Sequence, residues 1–102
     1  MNKKEKIFAY GTLNDPAVQK LVWGRETVGT PDALADFAMS RLEIEGGEYP
    51  LAIPQGGVEV AGYVFEVTPA ELEKIDAHET AAYRRERRQL KSGATAWVYL
   101  NR

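Results

Sequence analysis

The sequence predicts an α+β domain: a mixed β-sheet carrying two short helices. Three observations carry this expectation. Strand-like segments outnumber helical ones, a proline preceded by a capping residue opens each of two helical stretches, and 102 residues leave room for one core. The element order β, α, several β, α, β, β is too short and too strand-rich for a doubly wound parallel sheet. Residues 1–102 are therefore expected to form a single domain, and the chain has no internal repeat or linker.

Lys6-Ile7-Phe8-Ala9-Tyr10 is a short apolar run stopped by Gly11, which suits a buried strand. Asn14-Asp15-Pro16 follows as a helix start, with Asn14 or Asp15 able to cap and Pro16 tolerated at the first helical position. Ala17, Val18, Leu21 and Val22 recur at helical spacing as far as Gly24, a helix stop. Mixed patterning around Pro31 predicts two short strands between Thr27 and Met39. Residues 45–50 read as a loop, Leu51-Ala52-Ile53 as another short strand, and Gln55-Gly56-Gly57 as a turn. Val58 to Val67 is the clearest strand, with Tyr63, Phe65 and Val67 on one face and Gly62 marking a bulge or a close backbone approach. Thr68-Pro69-Ala70-Glu71 is a capping box for a helix from Pro69 to about His78. Tyr83 to Lys91 follows as an edge strand, Ser92-Gly93 as a turn, and Thr95 to Leu100 as the last strand.

Composition closes several classes of function. With 44% hydrophobic and 27% charged residues the chain can pack a core, so disorder is not expected. It has no cysteine, which excludes disulfides, a thiolate nucleophile and Cys-ligated metal. A single histidine, His78, argues against a multi-His metal site or a Ser-His-Asp triad. No apolar run approaches the ~18 residues that cross a bilayer, and no secretory pattern follows the basic start, so the chain is expected in the cytoplasm and away from membranes. Net charge is −2, distributed as +3 over residues 1–25, −10 over 26–79 and +5 over 80–102. That balance disfavours nucleic acid as a partner. The run Arg84-Arg85-Glu86-Arg87-Arg88 reads as the solvated face of a strand before it reads as an anion-binding patch. Trp23, Trp97, Tyr63 and Phe65 are expected in the core, and Tyr99 either there or in a pocket.

Chemistry is left to carboxylates, tyrosines, hydroxyls and backbone amides. Leu72 and Ile75 share a helix face, and one further step of four reaches Glu79. A carboxylate on the core side is a candidate acid–base group, because desolvation penalises its charged form. The alternative is a helix that ends at His78, with Glu79 turned to solvent or paired with Arg84 or Arg85. The loop Tyr10-Gly11-Thr12-Leu13 joins a strand to a helix start, where amides can converge on an anion or serve only as a connection. One glycine does not make a phosphate loop or a dinucleotide fingerprint.

Taken together and in order, Tyr10-Gly11-Thr12-Leu13, the pair Tyr49-Pro50, and Asp76-x-x-Glu79-x-x-x-Tyr83-x-Arg85 resemble the γ-glutamylcyclotransferase-like family. The resemblance implies a small β-barrel-like sheet with a pocket at its mouth. It implies that Tyr10, Gly11, Thr12 and Leu13 bind the substrate's α-carboxylate, that Glu79 is the acid–base catalyst, and that Tyr83 orients it or lines the pocket. It further implies a small-molecule γ-glutamyl substrate, 5-oxoproline as product, and no cofactor or metal. The chain departs from many relatives in having Thr80-Ala81-Ala82 after the glutamate, where glycine is frequent. A non-catalytic module of the same fold, binding a small ligand or a protein, is the competing reading.

Overall fold

In the computed structural model, which describes residues 4–44, 47–79 and 83–101, the chain runs β1 (Glu5–Ala9), a short 3-10 turn (Thr12–Asn14), α1 (Pro16–Trp23), β2 (Thr30–Ile44), β3 (Gly47–Val67), α2 (Pro69–His78), β4 (Tyr83–Gln89) and β5 (Thr95–Asn101). The five strands form one sheet in the order β2-β3-β1-β5-β4. Only the β1–β5 pair is parallel; the others are antiparallel, so the sheet is mixed as expected.

Period-two alternation sorts the strands between two cores. Ile7, Ala9, Phe65, Val67 and Tyr99 pack with Leu72 and Ile75 of α2 and Trp23 of α1, so both helices cover this face. Phe8, Val60, Val98 and Leu100 point the other way. There they meet Phe37 of β2 and Ala52 of β3, because the long β2–β3 ribbon curls over the sheet. The turn after β4 ties this curl to its far edge: Lys91 donates its amide to the Ala33 carbonyl at 2.8 Å, and Ser92 donates its hydroxyl to Asp32. The result is a half-barrel with two helices on its outer face.

Both helix starts follow the local chemistry. Asp15, not Asn14, caps α1 by accepting the Ala17 amide at 2.9 Å, and Gly24 ends it at φ +91°. Thr68 and Glu71 exchange reciprocal bonds at the start of α2, 3.1 Å from the Glu71 amide and 2.9 Å from the Thr68 amide. Gly62 marks a close approach: a Cβ there would collide with the Ala9 carbonyl oxygen and lie 2.7 Å from the Phe8 ring.

Four expectations are corrected. The two short strands between Thr27 and Met39 are one strand, β2. The loop at 45–50 is strand from Gly47 onward, with Glu45 and Gly46 outside the described residues, and Leu51-Ala52-Ile53 is interior to β3. Pro50 and Pro54 do not end β3, because in a ribbon with one partner every second N–H points away from the ladder and prolines four apart share that phase. The turn at Gln55-Gly56-Gly57 is a bulge within β3: pairing skips from Glu59–Ala35 to Pro54–Phe37, and Asp36, at φ +63°, accepts the Gly57 amide at 3.1 Å. One side chain also differs from expectation. Tyr63, expected in the core, is 44% exposed, whereas Phe65 on the same face is buried against Trp23 of α1; on α1 itself Leu21 is 84% exposed.

Candidate active site

The end of β1, the turn that follows it and the end of α2 enclose a cavity of about 260 Å³. Tyr10, Gly11, Thr12 and Leu13 line it together with His78, Glu79, Tyr83 and Tyr99, and with Phe8 and Ala9 of β1. All six residues expected to form the site, Tyr10, Gly11, Thr12, Leu13, Glu79 and Tyr83, therefore meet at one place. The side chains of Tyr49 and Pro50, and residues Thr80-Ala81-Ala82, lie outside the described residues.

Glu79 follows the last turn of α2. The helix does end at His78, and the Glu79 amide still donates to the Ile75 carbonyl at 3.1 Å. The side chain does not swing to solvent. It stays half-buried against the cavity, and neither arginine meets it: Arg84 pairs with Glu86, and Arg85 with Asp76 at 3.2 Å. Burial, with a smaller push from Asp76, raises the Glu79 carboxyl from the ordinary 4.5 to about 6. Such a group exchanges a proton readily near neutral pH.

Across the cavity, the 3-10 turn leaves amides open. The Asn14 and Asp15 amides close onto the Gly11 and Thr12 carbonyls, while those of Gly11, Thr12 and Leu13 have no acceptor among the described residues. Gln19, 1% exposed, holds this turn from behind by donating to the Leu13 carbonyl at 2.9 Å and accepting the Thr27 amide at 2.8 Å. Leu13 is buried, whereas Thr12 is exposed.

The tyrosines frame the site. The Tyr10 hydroxyl donates to the Tyr99 carbonyl at 2.6 Å and accepts the Ala52 amide at 3.4 Å, which ties β1 to β5 and β3. Burial pushes it up to about 12, so it is a neutral donor at working pH. Tyr99 serves both readings left open by the sequence: it is 7% exposed and lines the cavity. Its hydroxyl donates to Asp76 at 2.5 Å; burial and that bond raise it far above the ordinary tyrosine value. Asp76 stands in the sequence motif without an assigned role, and only tertiary contact reveals its partners. Outside the cavity the arginine run is a solvated edge, with Arg85 and Arg87 stacked on the half-buried Trp97 ring at 4.2 and 4.4 Å. Among the described residues no three acidic, histidine or cysteine side chains gather to hold a metal.

A family model described as gamma-glutamyl cyclotransferase, AIG2-like, matches residues 7–102. Among solved structures, two Arabidopsis thaliana proteins studied in solution are similar. One is 23% identical over 99% of this chain and 64% of its own, with a TM-score of 0.81; the other is 28% identical over 96% and 68%, at 0.79. A structure described as gamma-glutamyl cyclotransferase is 18% identical over 98% of this chain and 68% of its own, at 0.83, a likeness of fold. The chain thus spans about two thirds of the length of these solved relatives. No curated protein matches it.

Proposed function

The chain belongs to the AIG2-like γ-glutamyl cyclotransferase family, and we propose from that premise that it cyclises a γ-glutamyl amide to 5-oxoproline, releasing an amine or amino acid, with Glu79 as the proton carrier. One observation carries the proposal: a half-buried carboxyl poised at about 6 faces a turn with open amides across a cavity.

The open amides of Gly11, Thr12 and Leu13 suit the substrate's α-carboxylate, and glycine lets that group approach the backbone closely. The α-ammonium then lies where Glu79 can take a proton from it. The freed amine attacks the γ-carbonyl carbon through a five-membered ring, and the C–N bond to the leaving group breaks as its nitrogen is protonated. Two protons pass from the attacking nitrogen to the departing one, so the amine leaves as an ammonium and Glu79 ends ionised as it began. One carboxyl group performs both transfers in turn, and the reaction calls for no metal or cofactor. Holding amine and carbonyl in contact supplies much of the remaining acceleration. Tyr83 lines the pocket beside Glu79 and helps to orient it.

The test is release of 5-oxoproline from a panel of γ-glutamyl amines and dipeptides by wild type and Glu79→Gln. Turnover by wild type, lost in a folded Glu79→Gln protein, is the expected result. Near-wild-type turnover by the variant overturns the assignment. A wild-type protein that binds a γ-glutamyl analogue and releases nothing is instead a binding module of the same fold.

A further inference from the structure

Asp76 and Glu79 are three residues apart, so they leave the same side of α2 at its C-terminal end. Their surroundings differ. Asp76 is gripped from two strands: Tyr99 of β5 donates to Oδ1 at 2.5 Å, and the Arg85 guanidinium of β4 meets Oδ2 at 3.2 Å. Both partners are themselves held. Tyr10 grips the Tyr99 backbone at 2.6 Å, and Arg85 lies 4.2 Å over the Trp97 ring, whose Nε1 donates to Glu5 at 3.2 Å. Glu79, by contrast, has no ion-pair partner among the described residues.

We propose that Asp76 is the positioning residue of this site: clamped between Tyr99 and Arg85, it fixes the end of α2 against β4 and β5 and holds a second carboxylate beside Glu79. The inference rests on the reading of Glu79 as the proton carrier. Two carboxylates in one neighbourhood disfavour each other's ionised form, so the neighbour keeps a proton on Glu79 to higher pH than burial alone would. Arg85 moderates this by neutralising much of the Asp76 charge. Among the described residues, the titratable groups that face Glu79 or Asp76 are Tyr10 after β1, Tyr83 and Arg85 from β4, Tyr99 from β5, and His78 on α2 itself. None of these is a carboxyl group, so removing the Asp76 carboxylate has a definite sign.

The experiment is titration of the Glu79 side-chain carboxyl by carbon-13 NMR in the full chain, as wild type, Asp76→Asn and Arg85→Gln. The asparagine of the first variant keeps an acceptor for Tyr99 and loses only the charge. The Glu79 midpoint is expected to fall by roughly half a pH unit in Asp76→Asn, and to rise in Arg85→Gln, where the Asp76 charge is left uncompensated. The acid limb of kcat/KM is expected to move in the same two directions, whereas a residue that merely braces the fold would lower the rate without moving the limb. An unchanged midpoint in folded Asp76→Asn, or in Arg85→Gln if the first variant does not fold, overturns the proposal. Because the NMR titration needs no turnover, a wild type that releases no 5-oxoproline sinks the reaction assigned above while this result still decides the role of Asp76.

Discussion

Glu79→Gln is expected to make the protein more stable at neutral pH while removing the proposed proton carrier. The folded chain raises the Glu79 carboxyl from 4.5 to about 6, because the cavity wall desolvates the charge and Asp76 opposes it. The folded state therefore binds this proton more tightly than the unfolded state does. Stability from this group is fully present below pH about 4.5 and is lost as pH rises through about 6. Above pH 7 the charged carboxylate costs the fold at most about 2 kcal/mol, and solvent entering the open cavity reduces that to roughly 1 kcal/mol. Glutamine keeps the size and hydrogen bonding and carries no charge. Thermal unfolding of both proteins at pH 4 and pH 7.5 isolates the effect. The variant is expected to gain about 4 °C or more over wild type at pH 7.5 relative to the difference at pH 4. A difference independent of pH, or one of opposite sign, refutes the desolvated carboxyl and with it the physical basis for Glu79 as the proton carrier.

Gly11→Val is expected to weaken binding of a γ-glutamyl analogue at least tenfold in a folded protein, by crowding the approach to the backbone; calorimetric titration reads it, and unchanged affinity places the ligand elsewhere. Glu71 accepts two bonds from Arg25, at 2.6 and 2.8 Å, and caps α2, which hold it down at about 2. Glu71→Gln should therefore cost about 1 kcal/mol above pH 4.5, and that cost should vanish as pH falls towards 2, as urea unfolding across this range would show. Gly62→Ala forces a methyl against the Ala9 carbonyl oxygen and to within 2.7 Å of the Phe8 ring. It should destabilise the chain by roughly 1–3 kcal/mol in the same assay, and a neutral result would mean that β1 and β3 separate there easily.

Features decided within a few residues could be read from the chain alone. The capping box at Thr68 and Glu71, a cap at Asn14 or Asp15, the Gly24 stop, the apolar run of β1 and the alternation in β3 all depend on neighbours one to four positions away, and all are found. The candidate residues were legible for the same reason, since Tyr10 to Leu13 and the Asp76-to-Arg85 spacing are short motifs. Tertiary structure decided the rest. Pro50, Pro54 and Gly57 carry turn signals, yet pairing along β2 overrides them and absorbs the surplus residues in a bulge opposite Asp36. Alternation put Tyr63 on the face of Phe65 and so in the core, yet in the folded chain it is 44% exposed. Nor could alternation show that Glu79 stays clear of both arginines, or that Asp76 meets Tyr99 across 23 residues. That contact exists because β5 pairs with β1 beneath α2, so the placing of a second carboxylate beside a half-buried one is a property of the assembled sheet and not of any segment within it.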